Sequence, residues 1–209
     1  MDGYLWTPFG RYFYRYPYMF SPAQLILIAD LALQASKVAH NFYEVGCGHG
    51  DTTVFLKKLL DERGVDASYT VIDTFQGFLD RDVVYEVNQR HTPDTIRQRF
   101  AKNKVDWVAK RFRVNGVSID VFKQDACTFD FGSRGSIAFC LLDVDLYLPT
   151  KDLLPKVYDH MVEGGVLIVD DCDQGHPEWN GAYSAFMEFV QSRNIRHSIM
   201  LQKLGIIRK

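Results

Sequence analysis

The order of apolar and polar positions along the 209-residue chain predicts strands that alternate with helices. Four short apolar runs are typical of strands buried on both faces of a parallel sheet. These runs lie at 41–46, 69–75, 137–145 and 164–172. Helical spacing is found at 51–63, 149–161 and 181–192. The pattern predicts an α/β fold in which a mainly parallel sheet has helices on both faces.

Local signals predict the remaining elements and a domain boundary. Ser21 followed by Pro22 has the form of an N-cap and a first helical residue, so a helix is expected to begin there. The other predicted elements are a helix over 93–103, a solvated helix face within 80–113, a strand at 117–125, and a closing hairpin formed by 195–201 and 204–208. This hairpin would make the last of seven strands antiparallel. Residues 21–209 are thus predicted to form one domain, preceded by an aromatic segment at 1–20.

The most informative motif is NFYEVGCGHGDT at 41–52, where a predicted strand ends in an acid and in alternate glycines, Gly46, Gly48 and Gly50. Glycine has no Cβ, so it tolerates positive φ and lets backbone N–H groups approach a ligand. A dinucleotide-binding turn would place its third glycine three positions after the second, where Asp51 stands instead. Acid-x-Gly-x-Gly-x-Gly is typical of Rossmann-like methyltransferases that use S-adenosylmethionine, so this cofactor is expected at the turn.

Composition narrows the classes of partner. The net charge of −2, with both signs mixed along the chain, offers no basic surface for a nucleic-acid backbone. No apolar run reaches about 18 residues and the N-terminus lacks the layout of a signal peptide, which predicts no membrane partner and a cytoplasmic location. The four cysteines form no CxxC pair, which fits a reducing compartment. The expected partner is a small-molecule acceptor.

Acids follow the predicted core strands, and the carboxyl ends of parallel strands share one edge of a sheet. Asp73 is expected to accept hydrogen bonds from the ribose hydroxyls of the cofactor. Glu44 is expected to hold the turn and face the amino group or sulfonium, and Asp125 to receive the adenine amino group. The full set of predicted cofactor-binding residues is Glu44, Gly46, Cys47, Gly48, Asp51, Thr52, Asp73, Thr74, Phe75, Asp125 and Ala126.

A second group of acids, Asp143, Asp170 and Asp171, follows two strands that should be neighbours. Unpartnered carboxylates are costly to bury, so cations or hydrogen-bond donors are expected beside them. Hard oxygen ligands suit Mg²⁺, with Ca²⁺ or Mn²⁺ as alternatives. Such an ion would hold an acceptor hydroxyl and lower its pKa. Asp145 either points away from Asp143 by strand alternation or lies with it past the strand end, and its expected role is capping or pairing with a base.

Several of these assignments have structural alternatives. An acid at a strand end often caps the following helix. The nine aromatic residues from Tyr4 to Phe20 either pack over the sheet, pack against a second subunit of a homo-oligomer, or form a lid over the site. His176 lies in a loop after the acid pair and is expected to contact substrate or act as an auxiliary base, with a solvated side chain as the alternative.

Four segments together, EVGCGHGDTT, IDTFQGF, LLDVDLY and GGVLIVDDCD, resemble the macrocin O-methyltransferase family over about residues 40–190. The last three are narrower signals than the glycine motif. The resemblance implies a Rossmann-like class I methyltransferase with S-adenosylmethionine, Mg²⁺ bound by Asp143, Asp170 and Asp171, and Asp143 as the general base or its organiser. The chain departs from the family in its compact N-terminus and in QGHPEWNGAY, where the acceptor should bind.

The expected function is Mg²⁺-assisted O-methylation of a hydroxyl on a sugar or glycosylated natural product. Methylation of a phenolic diol, as in catechol-type enzymes, is one alternative. A non-catalytic nucleotide-binding protein is a second alternative, from a different class. A nicotinamide dehydrogenase would share the fold, but the glycine spacing opposes it.

Overall fold

The computed structural model describes residues 17–176 and 179–209. Within them, seven strands form one sheet in the spatial order β3-β2-β1-β4-β5-β7-β6. The strands are β1 (Asn41–Val45), β2 (Ser68–Asp73), β3 (Asp120–Lys123), β4 (Ile137–Leu142), β5 (Met161–Val169), β6 (His197–Met200) and β7 (Leu204–Arg208). The first five run parallel, and β7 is antiparallel to both β5 and β6. The predicted fold class is therefore confirmed, including the closing hairpin.

Six α-helices surround this sheet in the described part of the chain. They are α1 (Pro22–Ala35), α2 (Asp51–Glu62), α3 (Asp80–Arg90), α4 (Val105–Val114), α5 (Tyr147–Asp159) and α6 (Gly181–Ser192). Side chains alternate between the two faces of the sheet, so Phe139 and Leu141 pack into the core that contains α1, α2 and α4. Cys140 and Leu142 pack into the core that contains α5 and α6. Burial on both faces explains why β4 is a continuous apolar run.

The start of α1 confirms the interpretation of Ser21 and Pro22. The Ser21 hydroxyl accepts a hydrogen bond from the Gln24 N–H, and the Gln24 side chain accepts one from the Ser21 N–H. Just before this helix, the edge of the Tyr18 ring packs on Phe55 and Phe20 is buried in the core. Residues 1–16 lie outside the described residues, so the aromatic lid, the packing segment and the subunit contact all stay predictions.

The helix predicted over 93–103 is wrong. Only a short 3₁₀ turn, Asp94–Gln98, forms there, and Phe100 has a left-handed backbone with φ 59°. Helical spacing fails because Ile96 is the single residue of this turn that reaches the core. The charged stretch 80–113 instead contains α3 and α4, whose exposed faces agree with the predicted solvated helix.

Several element ends also differ from the prediction. The α5 helix begins at Tyr147, ahead of the predicted 149–161, because a proline such as Pro149 is tolerated in a first helical turn. It ends at Asp159, and β5 already starts at Met161 instead of residue 164. The strands predicted at 117–125 and 137–145 are shorter, ending at Lys123 and Leu142. None of the helices in 17–176 or 179–209 is both long and apolar enough to cross a membrane.

Candidate active site

The carboxyl ends of β1, β2, β4 and β5 open onto a cavity of about 480 Å³. This volume lies within the range of small-molecule sites. Every predicted site residue lines the cavity except Phe75, whose ring is buried beneath it. Parallel strands bring these side chains together although they are spread from residue 44 to residue 176 of the sequence. The catalytic, cofactor and metal assignments made from sequence therefore share one site geometrically.

Close packing explains the glycine at the start of the turn. Gly46 has φ +85°, and a Cβ there would overlap the carbonyl oxygen of Asp143. The two segments are also joined by the Asp143 N–H, which donates to the Val45 carbonyl at 2.8 Å. The turn after β1 and the acid after β4 consequently lie in direct contact.

The middle of the turn is open instead. Gly48 has φ +53°, and no atom lies within 4 Å of a Cβ built at this residue. The Gly50 N–H closes the turn on the Cys47 carbonyl at 2.8 Å, and Gly50 is the N-cap of α2. Backbone N–H groups at the start of a helix are suited to a polar ligand. This part of the site is shaped like a cofactor cradle.

Asp73 holds this turn from the neighbouring strand. Its two carboxylate oxygens accept hydrogen bonds from the Gly48 N–H at 2.9 Å and the Phe75 N–H at 2.6 Å. On the other side of the turn, the Asn103 side chain donates to the Gly48 carbonyl at 2.6 Å. Burial raises the pKa of Asp73 despite both bonds. Asp73 also lines the cavity at the end of β2, and its expected contact with the ribose stays a prediction.

Glu44 lies deeper, with 2% of its surface exposed. The Tyr69 hydroxyl donates to its Oε2 atom at 3.0 Å. Burial raises the pKa of Glu44 to about 7, although the hydrogen bond from the Tyr69 hydroxyl acts in the opposite direction. A carboxyl group so poorly solvated supports the turn from below and can accept a further donor from the cavity side.

Asp51 and Asp125 are both paired with arginines. Asp51 forms an ion pair with Arg111 of α4. Asp125 pairs with Arg81 at 2.7 Å through Oδ2, and its Oδ1 accepts the Cys127 N–H at 3.0 Å. The second contact caps a short 3₁₀ helix, which is the structural alternative expected for acids at strand ends. Their roles toward the cofactor stay predictions.

A group of acids with a different character follows β4 and β5. One carboxylate oxygen from each of Asp143, Asp145 and Asp171 lies within 4.8 Å of the other two. Asp145 and Asp171 both have left-handed backbones, with φ 60° and 55°. Non-glycine residues adopt this conformation at a cost, which is smaller for aspartate than for most other residues. We call Asp143, Asp145, Asp170 and Asp171 the acidic rim.

The three acids whose oxygens lie together are not the same three that the sequence analysis predicted as metal ligands, Asp143, Asp170 and Asp171. Asp145 lies past the strand end together with Asp143, which was one of two open alternatives, and it joins the group in the place predicted for Asp170. Asp170 is 96% buried; its Oδ2 accepts from the Lys203 ammonium at 2.7 Å, while its Oδ1 has no hydrogen-bond partner. The metal assignment itself stays a prediction.

The chemistry of the acidic rim fits a divalent cation. Burial raises the pKa values of Asp143 and Asp145 strongly, and the neighbouring carboxylates raise them further. Burial and Asp171 likewise raise the pKa of Asp170 to about 6. Carboxylates this close repel one another unless a proton or a cation lies between them. Hard oxygen donors, one of them buried without a partner, match the ligands of Mg²⁺ or Ca²⁺.

His176 lines the cavity from the loop after β5. Its Nδ1 atom accepts a hydrogen bond from the Trp179 N–H at 2.9 Å. The proton of a neutral ring is then on Nε2. The Nδ1 atom of His176 is therefore engaged within its own loop, and the expected role of His176 toward the substrate stays a prediction.

Sequence reasoning placed Trp179 in the segment expected to meet the acceptor, but it missed Lys203, Asn103 and the aromatic wall that Trp179 forms with Phe78 and Phe100. The ring centroid of Phe78 lies 5.6 Å from that of Phe100 and 6.0 Å from that of Trp179. These residues lie in loops and in the hairpin turn, where no periodic pattern marks them. Only their contacts with the motif residues reveal them.

Comparison with solved structures supports the fold. The O-methyltransferase NovP has 19% sequence identity and a TM-score of 0.78, covering 93% of this chain and 83% of its own. Two structures of the calicheamicin methyltransferase CalS11, described in one as a TDP-rhamnose 3′-O-methyltransferase, have TM-scores of 0.71 and 0.61 at 20% and 15% identity. Each covers 89% of this chain and 78% of its own.

A putative caffeoyl-CoA O-methyltransferase from Staphylococcus aureus has a TM-score of 0.65 at 11% identity, covering 92% of this chain and 86% of its own. Among curated proteins, none matches the chain significantly. The decisive comparison is with sequence families, because the Macrocin-O-methyltransferase (TylF) family matches residues 27–205. This range contains the glycine turn, the acidic rim and Lys203. The chain therefore belongs to the macrocin O-methyltransferase family and is an O-methyltransferase of the class that uses S-adenosylmethionine.

Proposed function

We propose that this chain transfers the methyl group of S-adenosylmethionine to a hydroxyl of a sugar or glycosylated natural product, with a divalent ion, Mg²⁺ first, at the acidic rim. The observation that carries the proposal is the contact between Gly46 and Asp143, which joins the glycine turn to the acidic rim. The rhamnose acceptor in the name of CalS11 supports the choice of a sugar, as does the family description.

The chemical requirements of methyl transfer match this arrangement. The leaving group is good, so the protein must align an oxygen about 3 Å from the methyl carbon and remove its proton. Glu44, Asp73 and the Gly48 backbone would orient the donor. Asp143, Asp170 and Asp171 would hold the ion, with Asp145 beside them, and the ion when bound would supply Lewis acidity that lowers the pKa of the acceptor hydroxyl. The backbone of Asp143 contacts the glycine turn, so Asp143 would accept that proton or organise its transfer.

Other cavity residues would act on the acceptor. Phe78 and Trp179 form an apolar wall that excludes water and offers ring faces for packing on a sugar. His176, which lines the cavity beside Trp179, would contact the acceptor or act as an auxiliary base. These roles separate acceptor binding from donor binding, so variants in the two groups should have different kinetic effects.

The test is Asp143→Asn, assayed for methyl transfer to a panel of sugar and phenolic acceptors and for cofactor binding by calorimetry. We expect kcat/KM to fall by about 100-fold or more because the base and an ion ligand are lost, while the Kd for S-adenosylmethionine changes by less than about threefold. Asp152→Asn is the matched control, because Asp152 is exposed and pairs with Lys156 on α5. Turnover that survives complete chelation would contradict the metal half of the proposal. Methylation of phenolic diols but of no sugar would contradict the acceptor class.

A further inference from the structure

Lys203 is the last residue of a three-residue turn between β6 and β7, since Met200 pairs with Leu204. Leu201 and Gln202 have φ 49° and 74°, and neither is glycine, although left-handed backbone favours it. Two contacts hold the turn in place. The Gln24 side chain donates to the Leu201 carbonyl at 3.1 Å, and the Cys172 N–H donates to the Lys203 carbonyl at 2.7 Å. The backbone of Lys203 is thus tied to the segment that carries Asp170 and Asp171.

The side chain of Lys203 is directed into the active-site cavity. Its ammonium lies 2.7 Å from Oδ2 of Asp170 and 3.2 Å from Oδ1 of Asp171. It also lies 5.2 Å from the centroid of the buried Phe20 ring, a cation–π geometry. With 25% of the side chain exposed, this is an ordered and mostly desolvated cation.

The charge of Lys203 lies beside Asp170 and Asp171, the acids of the rim for which hydrogen-bond donors are lacking. Asp170 has one oxygen on the lysine and one without a partner. Asp171 is shared, since it contacts Lys203 and also belongs to the group of three oxygens suited to a metal ion.

We propose that Lys203 is a resident counter-cation of the acidic rim. It holds Asp170 and shares Asp171 when no divalent ion is bound, and its charge lowers the affinity of the site for that ion. The proposal rests on the metal site of the proposed function and adds a residue that regulates it.

A purely structural role for Lys203 makes a different prediction. Its methylene chain could simply pack on Phe20 and fill the space beside the hairpin. Lys203→Met keeps an unbranched apolar side chain and removes the charge, so packing alone predicts unchanged ion affinity. A counter-cation predicts tighter ion binding, because the repulsion between two cations at a few ångströms is removed.

The experiment is calorimetric titration of Mg²⁺, and of Mn²⁺ as a second probe, into the chelator-treated full chain. We expect Lys203→Met to bind the ion about tenfold or more tightly than the wild type, and Lys203→Arg to stay within about threefold of it. Lys151→Met is the matched control, because Lys151 makes an exposed ion pair with Glu188. Cofactor binding verifies that each variant is folded, and Lys203→Gln replaces Lys203→Met should the latter fail to fold.

A second readout is the thermal midpoint with and without the ion. Lys203→Met should be less stable than the wild type without metal, because its acids lose their cation, and should gain more from added Mg²⁺. Ion binding by Lys203→Met alone would also support the proposal. Equal affinity of wild type and Lys203→Met would overturn it while leaving the metal site intact. No ion binding by any variant would overturn it together with the metal half of the proposed function.

Discussion

The active site has two halves, the cofactor half around the glycine turn and the acidic rim. They differ in how the charges of their carboxylates are compensated. In the cofactor half, carboxylates are supplied with donors from the protein: Asp73 accepts two backbone N–H groups, and Asp125 pairs with Arg81 and the Cys127 N–H. In the acidic rim, Asp143, Asp145 and Asp171 crowd together, and Asp170 keeps a buried oxygen without a partner.

This difference separates acids that the protein itself supplies with hydrogen-bond donors from acids whose charges lie close to one another. Donors already aimed at Asp73 fix the glycine turn before any ligand arrives, so this half is preorganised. In the acidic rim the carboxylates lie close together, and the Lys203 ammonium contacts two of them, Asp170 and Asp171. Without a bound ion, the free energy of unfolding should therefore depend strongly on pH, on added metal ions and on substitutions that remove one of these charges.

The largest effect should come from Gly46→Ala, which disrupts the contact between the glycine turn and Asp143. A Cβ at φ +85° would overlap the Asp143 carbonyl, so either β4 or the turn must move. We expect a loss of at least about 4 kcal/mol of unfolding free energy, measured by urea denaturation. Gly116→Ala is the control, with φ +69° and no atom within 4 Å of the added Cβ, and should cost about 1–2 kcal/mol. Equal costs would mean that the contact is unimportant.

The next effect is a pH dependence due to Glu44. Its pKa is raised from 4.5 to about 7, so the folded protein keeps a proton that the unfolded chain releases between these values. Stability of the metal-free protein should fall by about 3 kcal/mol from this group as the pH rises through that window, and then level off. Glu44→Gln should remove this part of the slope while keeping a partner for the Tyr69 hydroxyl. Identical pH profiles for the variant and the wild type would contradict the assignment.

Substituting one acid from each half should change stability in opposite directions. Asp73→Asn leaves one acceptor oxygen for two N–H groups, so we expect a loss of about 1–2 kcal/mol and a higher Kd for S-adenosylmethionine. Asp145→Asn removes one of several crowded charges and should stabilise the metal-free protein by about 1 kcal/mol at pH 8. Thermal denaturation in a chelating buffer measures both. If both substitutions raised the thermal midpoint, or both lowered it, the acids of the two halves would not differ as described.

The smallest effect should come from Arg111→Met, which removes the ion pair with Asp51. Arg111 is 40% exposed and Asp51 20%, so solvent and salt screen the pair. We expect a change of less than about 1 kcal/mol in unfolding free energy, fading in 1 M salt. A much larger or salt-independent loss would indicate that the cofactor half also depends on this single charge.

The sequence predicted the sheet well and the connecting segments less well. Apolar runs such as residues 137–142 are buried on both faces, and few structures other than a central strand satisfy that pattern. Between Pro93 and Phe100 the apolar residues are too few to select a helix, so the local conformation follows from packing against the loop at Gly77. Element ends near prolines were misjudged for a related reason, because proline restricts a helix without fixing where it begins.

For the active site, the sequence by itself determined the glycine turn and the edge of the sheet where the acids meet. Both follow from short-range rules, since glycine spacing specifies the backbone of the turn and parallel strands end on the same side. Only the tertiary structure decided which acids lie together, bringing Asp145 toward Asp143 through a left-handed backbone and pairing Asp170 with Lys203, 33 residues away in the sequence. Such pairings depend on side-chain direction and on long-range packing, which no local pattern of residues encodes.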